Sequence, residues 1–170
     1  MPKRRAKNDD RGQDAISLLK ADHEALRELL GELEETTSRA ASKRRDLLGS
    51  IEEQLKIHTK IEEDVFYPAF RDAAQKQDER KLYYEALEEH HVVDMVLPEI
   101  KEVDPSSDEF AAKAKVLKDL VEHHAEEEES EMFPKARKLM SRDELMELGE
   151  RLALAKESAA ERMGEMVRVR

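Results

Sequence analysis

The chain is 170 residues long, about one domain by the usual length prior, with 42% charged and 4% aromatic residues, no tryptophan, five glycines and five prolines. A mixture so rich in Ala, Leu, Glu, Lys and Arg is that of helices. A formal net charge of −11 opposes the broad basic face of a nucleic-acid binder, and the absence of cysteine leaves only nitrogen and oxygen as metal donors.

The opening MPKRRAK reads as the start of a short disordered basic tail, residues 1–13. No apolar segment follows it to make a signal peptide, and no stretch approaches the ~18 apolar residues of a membrane span. The expectation is a soluble, cytoplasmic protein.

Beyond the tail, apolar residues recur at three- and four-residue steps. Ile16, Leu19, Leu26, Leu30 and Leu33, with His23 among them, predict a first helix over about 13–38. After TTSRAAS a second stripe, Leu48, Ile51, Leu55 and Val65, includes His58 and Glu62 and predicts a helix over about 43–74, with Pro68 kinking it or marking its last turns. The third helix starts near 79 and carries Leu82, Leu87, His90, Val93 and Leu97 before Pro98 disturbs its hydrogen bonding. VDPSSDEF is the clearest turn, with Ser107 or Asp108 able to cap the fourth helix, whose stripe runs Phe110, Ala114, Leu117, Val121, His124, Glu128 and Met132. A fifth helix begins at SRDEL, where Ser141 and Glu144 have capping-box spacing, and continues to about 166. Short connections between long amphipathic helices predict an all-α, up-down-up-down four-helix bundle with an extra C-terminal helix over 141–170.

The chain also repeats itself. A shift of 66 lays HTKIEEDVFYPAF over HAEEEESEMFPKA, aligning His58 with His124, Glu62 with Glu128, Glu63 with Glu129, Tyr67 with Phe133 and Pro68 with Pro134. A shift of 67 aligns His23 with His90. Each half therefore offers one histidine from its first helix and a His-x-x-x-Glu from its second, a spacing that keeps both side chains on one helix face. Packed about a pseudo-twofold axis, four histidines and two carboxylates meet at mid-bundle. Buried carboxylates are expensive unless compensated, and two cations would compensate them. The metal candidates are His23, His58, Glu62, His90, His124 and Glu128. His90 is preferred to His91, and His124 to His123, by the repeat. Asp22, Glu63, Glu89 and Glu129 adjoin these positions and are candidates to support the ligands, with an ordinary surface role the first reading; Tyr67, Tyr83 or Tyr84 could donate a proton or electron near the site, with packing the first reading.

At these residues, in LLKADHEALRELL, H-x-x-x-EE-x-x-FYP, EEHHVV and EHH-x-x-EEE-x-x-x-FP, the chain resembles the hemerythrin-like HHE cation-binding domain family over residues 14–140. The resemblance implies a four-helix bundle with a non-heme di-iron centre, two iron ions bridged by carboxylates and an oxo or hydroxo group; zinc or manganese would fit the same donors. Oxygen-carrying hemerythrins look to have a further histidine where this chain has Asp94, which points to peroxide chemistry, gas sensing or iron handling over oxygen storage. The expected function is binding or sensing of O2, NO, peroxide or iron in a stress or iron-homeostasis role. The alternatives are a catalase-like or oxidase di-iron enzyme, and a metal-free helical interaction module. The expected partner is a small ligand, neither nucleic acid nor membrane.

Overall fold

The computed structural model describes residues 12–168. All but the last two residues of the expected basic tail lie outside that range. Helix α1, Ala15–Glu34, starts where the Asp14 carboxylate accepts from the Ser17 N–H at 2.8 Å. After a 3₁₀ turn at Ser38–Ala40 comes α2, Ala41–Ile61, which runs through a π-turn at Glu62–Phe66 into α3, Tyr67–Ala73. Helix α4, Gln77–Lys101, is held at its start by Glu79, which accepts from the N–H groups of Gln75 and Lys76 at 2.8 and 2.9 Å. Helix α5, Asp108–Glu127, is capped by the Ser107 hydroxyl, which accepts from the Phe110 N–H at 3.1 Å. It passes through a second π-turn, Glu128–Met132, into α6, Phe133–Leu139. Helix α7, Arg142–Arg168, begins at the capping box expected from SRDEL: the Ser141 N–H donates to Glu144 at 2.6 Å and the Glu144 N–H to the Ser141 hydroxyl at 3.2 Å.

The protein is all-α, and no strand occurs among the described residues. Helix α1 packs on α2 and α5, and α4 on α5 and α2, which closes an up-down-up-down ring of four; α7 lies against α1 and α2. Pro98 does not end α4. The helix continues to Lys101 because Leu97 and Ile100, either side of the proline, are both buried in the core and hold that last turn.

The two π-turns explain the aligned prolines. A proline inside a helix has no N–H to give and its ring collides with the carbonyl one turn earlier. Here the N–H groups of Tyr67 and Phe133 reach back five residues to the carbonyls of Glu62 and Glu128. Pro68 and Pro134 then fall in the first turn of a new helix, where a missing donor costs nothing. Both turns begin at a glutamate of the expected ligand set.

Apolar side chains form two clusters. One, around Phe66, Phe70, Phe133 and Leu152, lies beneath α7; the other, around Leu30, Ile51, Leu97 and Leu117, fills the opposite end of the bundle. Fully buried leucines such as Leu18, Leu19, Leu117 and Leu152 each contribute about 1.5–3 kcal/mol. Helix α7 crosses the start of α1 at Gly149, where a Cβ would stand 2.1 Å from the Gln13 carbonyl oxygen. Only glycine allows that crossing.

Candidate metal centre

Eight polar side chains are buried among the described residues; apart from Arg44 and Glu79 they are His23, His58, Glu62, His90, His124 and Glu128, each at most 6% exposed. The fold brings all six expected candidates together. His23 comes from α1, His58 from α2, His90 from α4, His124 from α5, and the two glutamates from the first residues of the π-turns. Their tips are close: Glu62 has one oxygen 3.0 Å from His58 Nε2 and the other 3.1 Å from His90 Nε2, while Glu128 Oε2 is 3.1 Å from His23 Nε2 and 3.6 Å from His124 Nε2. Glu62 thus faces both halves of the repeat. The alternatives point elsewhere: His91 and Asp94 are exposed, and His123 is 62% exposed.

The geometry of these contacts is that of donors sharing a point rather than bonding to one another. His23 Nε2, His58 Nε2, Glu62 Oε1 and Glu128 Oε2 are shut off from solvent and make no hydrogen bond. The 3.0 Å approach of His58 to Glu62 is short enough for a bond but lacks the required direction. Left so, each atom costs about 1–3 kcal/mol, together on the scale of a domain's whole stability of about 5–15 kcal/mol. Donors held about 2.1 Å from one cation stand roughly 3 Å apart at right angles and roughly 4 Å apart when opposite; here His58 to Glu62 is 3.0 Å, His23 to Glu128 3.1 Å and His23 to Glu62 4.0 Å. The four lie within 4.8 Å of one another, and Glu62, His90 and His124 form a second such group. A cation fits the donors present.

The second group is not orphaned because Tyr67 serves it. The Tyr67 hydroxyl donates to Glu128 Oε1 at 2.8 Å, lies 3.2 Å from Glu62 Oε2, and stands 3.1 and 3.4 Å from Nε2 of His90 and His124. Its repeat counterpart is Phe133, which stacks on His23 at 5.8 Å and offers no hydroxyl. That one substitution within the repeat makes the two halves of the centre chemically unlike.

The four carboxylates whose first reading was a surface role do more than face solvent, although Glu63 remains exposed. Each binds the Nδ1 of one histidine: Asp22 that of His58 at 3.3 Å, Glu63 that of His90 at 2.8 Å, Glu89 that of His124 at 2.6 Å and Glu129 that of His23 at 2.8 Å. Occupying Nδ1 fixes the ring and leaves Nε2 aimed inward. The pattern obeys the repeat: Asp22 and Glu89 act within their own hairpins, while Glu63 and Glu129 reach across to the other. Two of the four are themselves held by cations, Asp22 by Lys156 of α7 at 2.5 Å and Glu129 by Arg27 at 3.0 Å. Arg27 and Lys156 are additions that the sequence reading missed; Tyr67, one of three tyrosines it offered as a donor near the site, is the one whose hydroxyl reaches the buried glutamates.

Charge stabilisation follows from these neighbours. Burial disfavours the His58 imidazolium, yet Glu62 and Asp22 on either side outweigh it and lift its pKa to about 10. Burial likewise pushes Glu62 up, but His58, His124 and His90 overcome it and hold the carboxylate well below its usual range. The hydrogen bond from His23, with Arg27 assisting, brings Glu129 to about 2. Burial, then Glu128 and Glu62, keep the Tyr67 phenol protonated, well above its ordinary value.

A small cavity adjoins the histidines on one side. It is lined by Leu26, Leu55, Thr59, Val93 and Val121 besides the four imidazoles, with about 10 Å³ open at its centre, room for a molecule the size of water.

A four-helix bundle that buries four imidazoles and two carboxylates at one point defines a helical metal-binding protein. Comparison with known proteins gives the lineage. The hemerythrin HHE cation-binding domain family matches residues 14–136, and the chain belongs to it. A crystal structure of a hemerythrin HHE cation-binding domain-containing protein from Mycobacterium kansasii superposes with a TM-score of 0.80 at 28% identity, over 92% of this chain and 93% of that one. A DNA nickase from Nostoc sp. strain PCC 7120 is 28% identical over 157 residues; these are 92% of this chain but 43% of the nickase, so the chain spans less than half of that relative. No helix among the described residues is long and apolar enough to cross a membrane.

Proposed function

We propose that the protein holds a non-heme di-iron centre between its four histidines and two glutamates and uses it to bind or sense a small ligand, oxygen, nitric oxide or peroxide, or to handle iron, in a stress or iron-homeostasis role. The observation that carries this reading is the set of four unpaired buried donors, His23 Nε2, His58 Nε2, Glu62 Oε1 and Glu128 Oε2. Mixed imidazole and carboxylate donors suit iron, and also zinc or manganese. Iron, when bound, supplies one-electron redox chemistry and affinity for oxygen-family ligands.

The protein's own part is positioning. His23 and His58 would hold one ion, His90 and His124 the other, and Glu62 and Glu128 lie between them. Asp22, Glu63, Glu89 and Glu129 keep each imidazole turned inward. Leu26, Leu55, Val93 and Val121 exclude bulk water, and the small cavity they line supports a ligand of two or three atoms over any larger substrate.

Tyr67 favours a second reading, a di-iron enzyme with catalase-like or oxidase activity. Its buried hydroxyl touches both glutamates, so a proton donor already stands at the site. The nickase's activity is not carried over, since the match covers less than half of that protein and a net charge of −11 works against a phosphate backbone.

Metal analysis with an optical spectrum under air and under peroxide tests the proposal. About two irons per chain and an oxo-bridged diferric band support it; a colourless zinc protein overturns it. Peroxide consumption above that of free iron, lost in Tyr67→Phe, decides for the enzyme. A chain that takes up no metal reverts to a helical interaction module.

A further inference from the structure

The four carboxylates behind the imidazoles are not alike. Those serving His23 and His58 are each shared with a cation. Lys156 Nζ donates to Asp22 Oδ1 at 2.5 Å, and an Arg27 N–H donates at 3.0 Å to Glu129 Oε1, the oxygen that also meets His23 Nδ1. Those serving His90 and His124 are not: among the described residues no lysine or arginine pairs with Glu63 or Glu89. Beside Glu89 stand instead the exposed imidazole of His123, at 3.5 Å, and a further carboxylate, Glu127.

This division breaks the repeat. Asp22 aligns with Glu89, and Glu63 with Glu129, yet in each pair only the member that serves His23 or His58 has a cation behind it. One of the two cations comes from α7, which lies beyond residues 14–136 of the family match. Lys156 sits about two turns past Gly149 on the same face of α7, so the close crossing of α1 also sets the lysine against Asp22.

The effect on a bound ion has a definite sign. A carboxylate accepting from Nδ1–H makes the imidazole a stronger donor, which favours the more highly charged ion. A cation on that carboxylate takes part of the gain back, and its own positive charge opposes the higher charge further. Lys156 and Arg27 are each 26% exposed and Asp22 13%, so water and salt screen these pairs less than surface ones. The contact lengths agree: Asp22, drawn to Lys156, is 3.3 Å from its imidazole, whereas the other three carboxylates lie at 2.6–2.8 Å.

We propose that Lys156 and Arg27 are positioning residues that make the two metal positions unequal: the one held by His23 and His58 favours iron in its lower charge, the one held by His90 and His124 iron in its higher charge. This rests on the di-iron reading of the buried centre.

The test is an anaerobic titration of the iron-loaded full chain with dithionite and mediator dyes, followed by the ferric absorbance. Each step is Fe³⁺ + e⁻ → Fe²⁺, with dithionite the source of the electron. The wild type should show two separate midpoints. Lys156→Met and Arg27→Gln should each lower the upper midpoint and leave the lower one nearly in place, and Lys156→Arg should restore the wild-type value. Lys115→Met removes the same charge from an exposed side chain paired with Asp119 and should move neither. Iron per chain and the metal-free melting temperature are measured for every variant, so that a folding defect in one leaves the other to decide. A single two-electron wave in the wild type overturns the proposal. So does an upper midpoint that stays in place in both variants, or an equal fall of both midpoints, which is a general effect of charge. A wild-type chain that takes up no iron refutes the di-iron centre itself, and metal analysis shows that before any titration.

Discussion

Replacing Tyr67 by phenylalanine removes one oxygen from the middle of the site and leaves the ring, so no cavity opens and the fold has no other reason to change. In the metal-free protein that hydroxyl donates to Glu128 Oε1 at 2.8 Å and lies 3.2 Å from Glu62 Oε2; the bond to Glu128 is the one lost, since His90 Nε2 still stands 3.1 Å from Glu62 Oε2. A hydrogen bond to a charged group contributes about 1.5–3 kcal/mol, so the variant should be about 2 kcal/mol less stable without metal. For a chain of this size each kcal/mol moves Tm by about 2–4 °C, which predicts a fall of about 4–8 °C. Metal loading gives the same carboxylate oxygens cations as partners, so the loaded variant should fall by less, and the gain in Tm on loading should be larger than in the wild type. Thermal unfolding followed by circular dichroism, with and without metal, measures both. A metal-free Tyr67→Phe protein that melts at or above the wild-type temperature would show that the hydroxyl does not satisfy the buried carboxylates.

Three further outcomes are expected. Asp22→Asn and Glu89→Gln each loosen one imidazole and should weaken metal binding about 10- to 100-fold, read by competition with a chelator, while Asp119→Asn on the exposed face of α5 should leave it unchanged. Gly149→Ala forces a methyl onto the backbone at Gln13 and Asp14; it should destabilise the chain by about 1–3 kcal/mol or more in denaturant unfolding, and an unchanged midpoint would mean that α7 does not cross α1 so closely. The His58 pKa, raised from 6.5 to about 10, contributes stability to the metal-free protein that is fully present below pH 6.5 and lost as pH rises through about 10. Metal must displace that proton, so affinity should climb with pH across this window and loading should release protons, measured by calorimetry in buffers of different ionisation enthalpy.

The amino-acid order alone determined a good deal. Apolar spacing marked every long helix, the 66-residue repeat paired His58 and Glu62 with His124 and Glu128, and a four-residue step put each pair on one face. Local periodicity carries such information because a helix fixes which residues share a side before any partner arrives. It favoured His124 over His123, and His90 over His91, and the structure buries the favoured member of each pair, since one step along a helix turns a side chain by about 100°.

Tertiary structure decided the rest. In an unbroken α-helix Tyr67 would stand about 140° around from Glu62 and away from the site. The π-turn before Pro68 brings it back to the same face, and the hydroxyl falls between two glutamates and two histidines. The four carboxylates read first as solvated are likewise partners of histidines 27 to 106 residues away, a pairing set by how the helices are rotated against one another. The reach of Lys156 to Asp22 depends in turn on α7 lying close over α1, which Gly149 allows. Periodicity says which side of a helix faces inward; only packing says what that side meets.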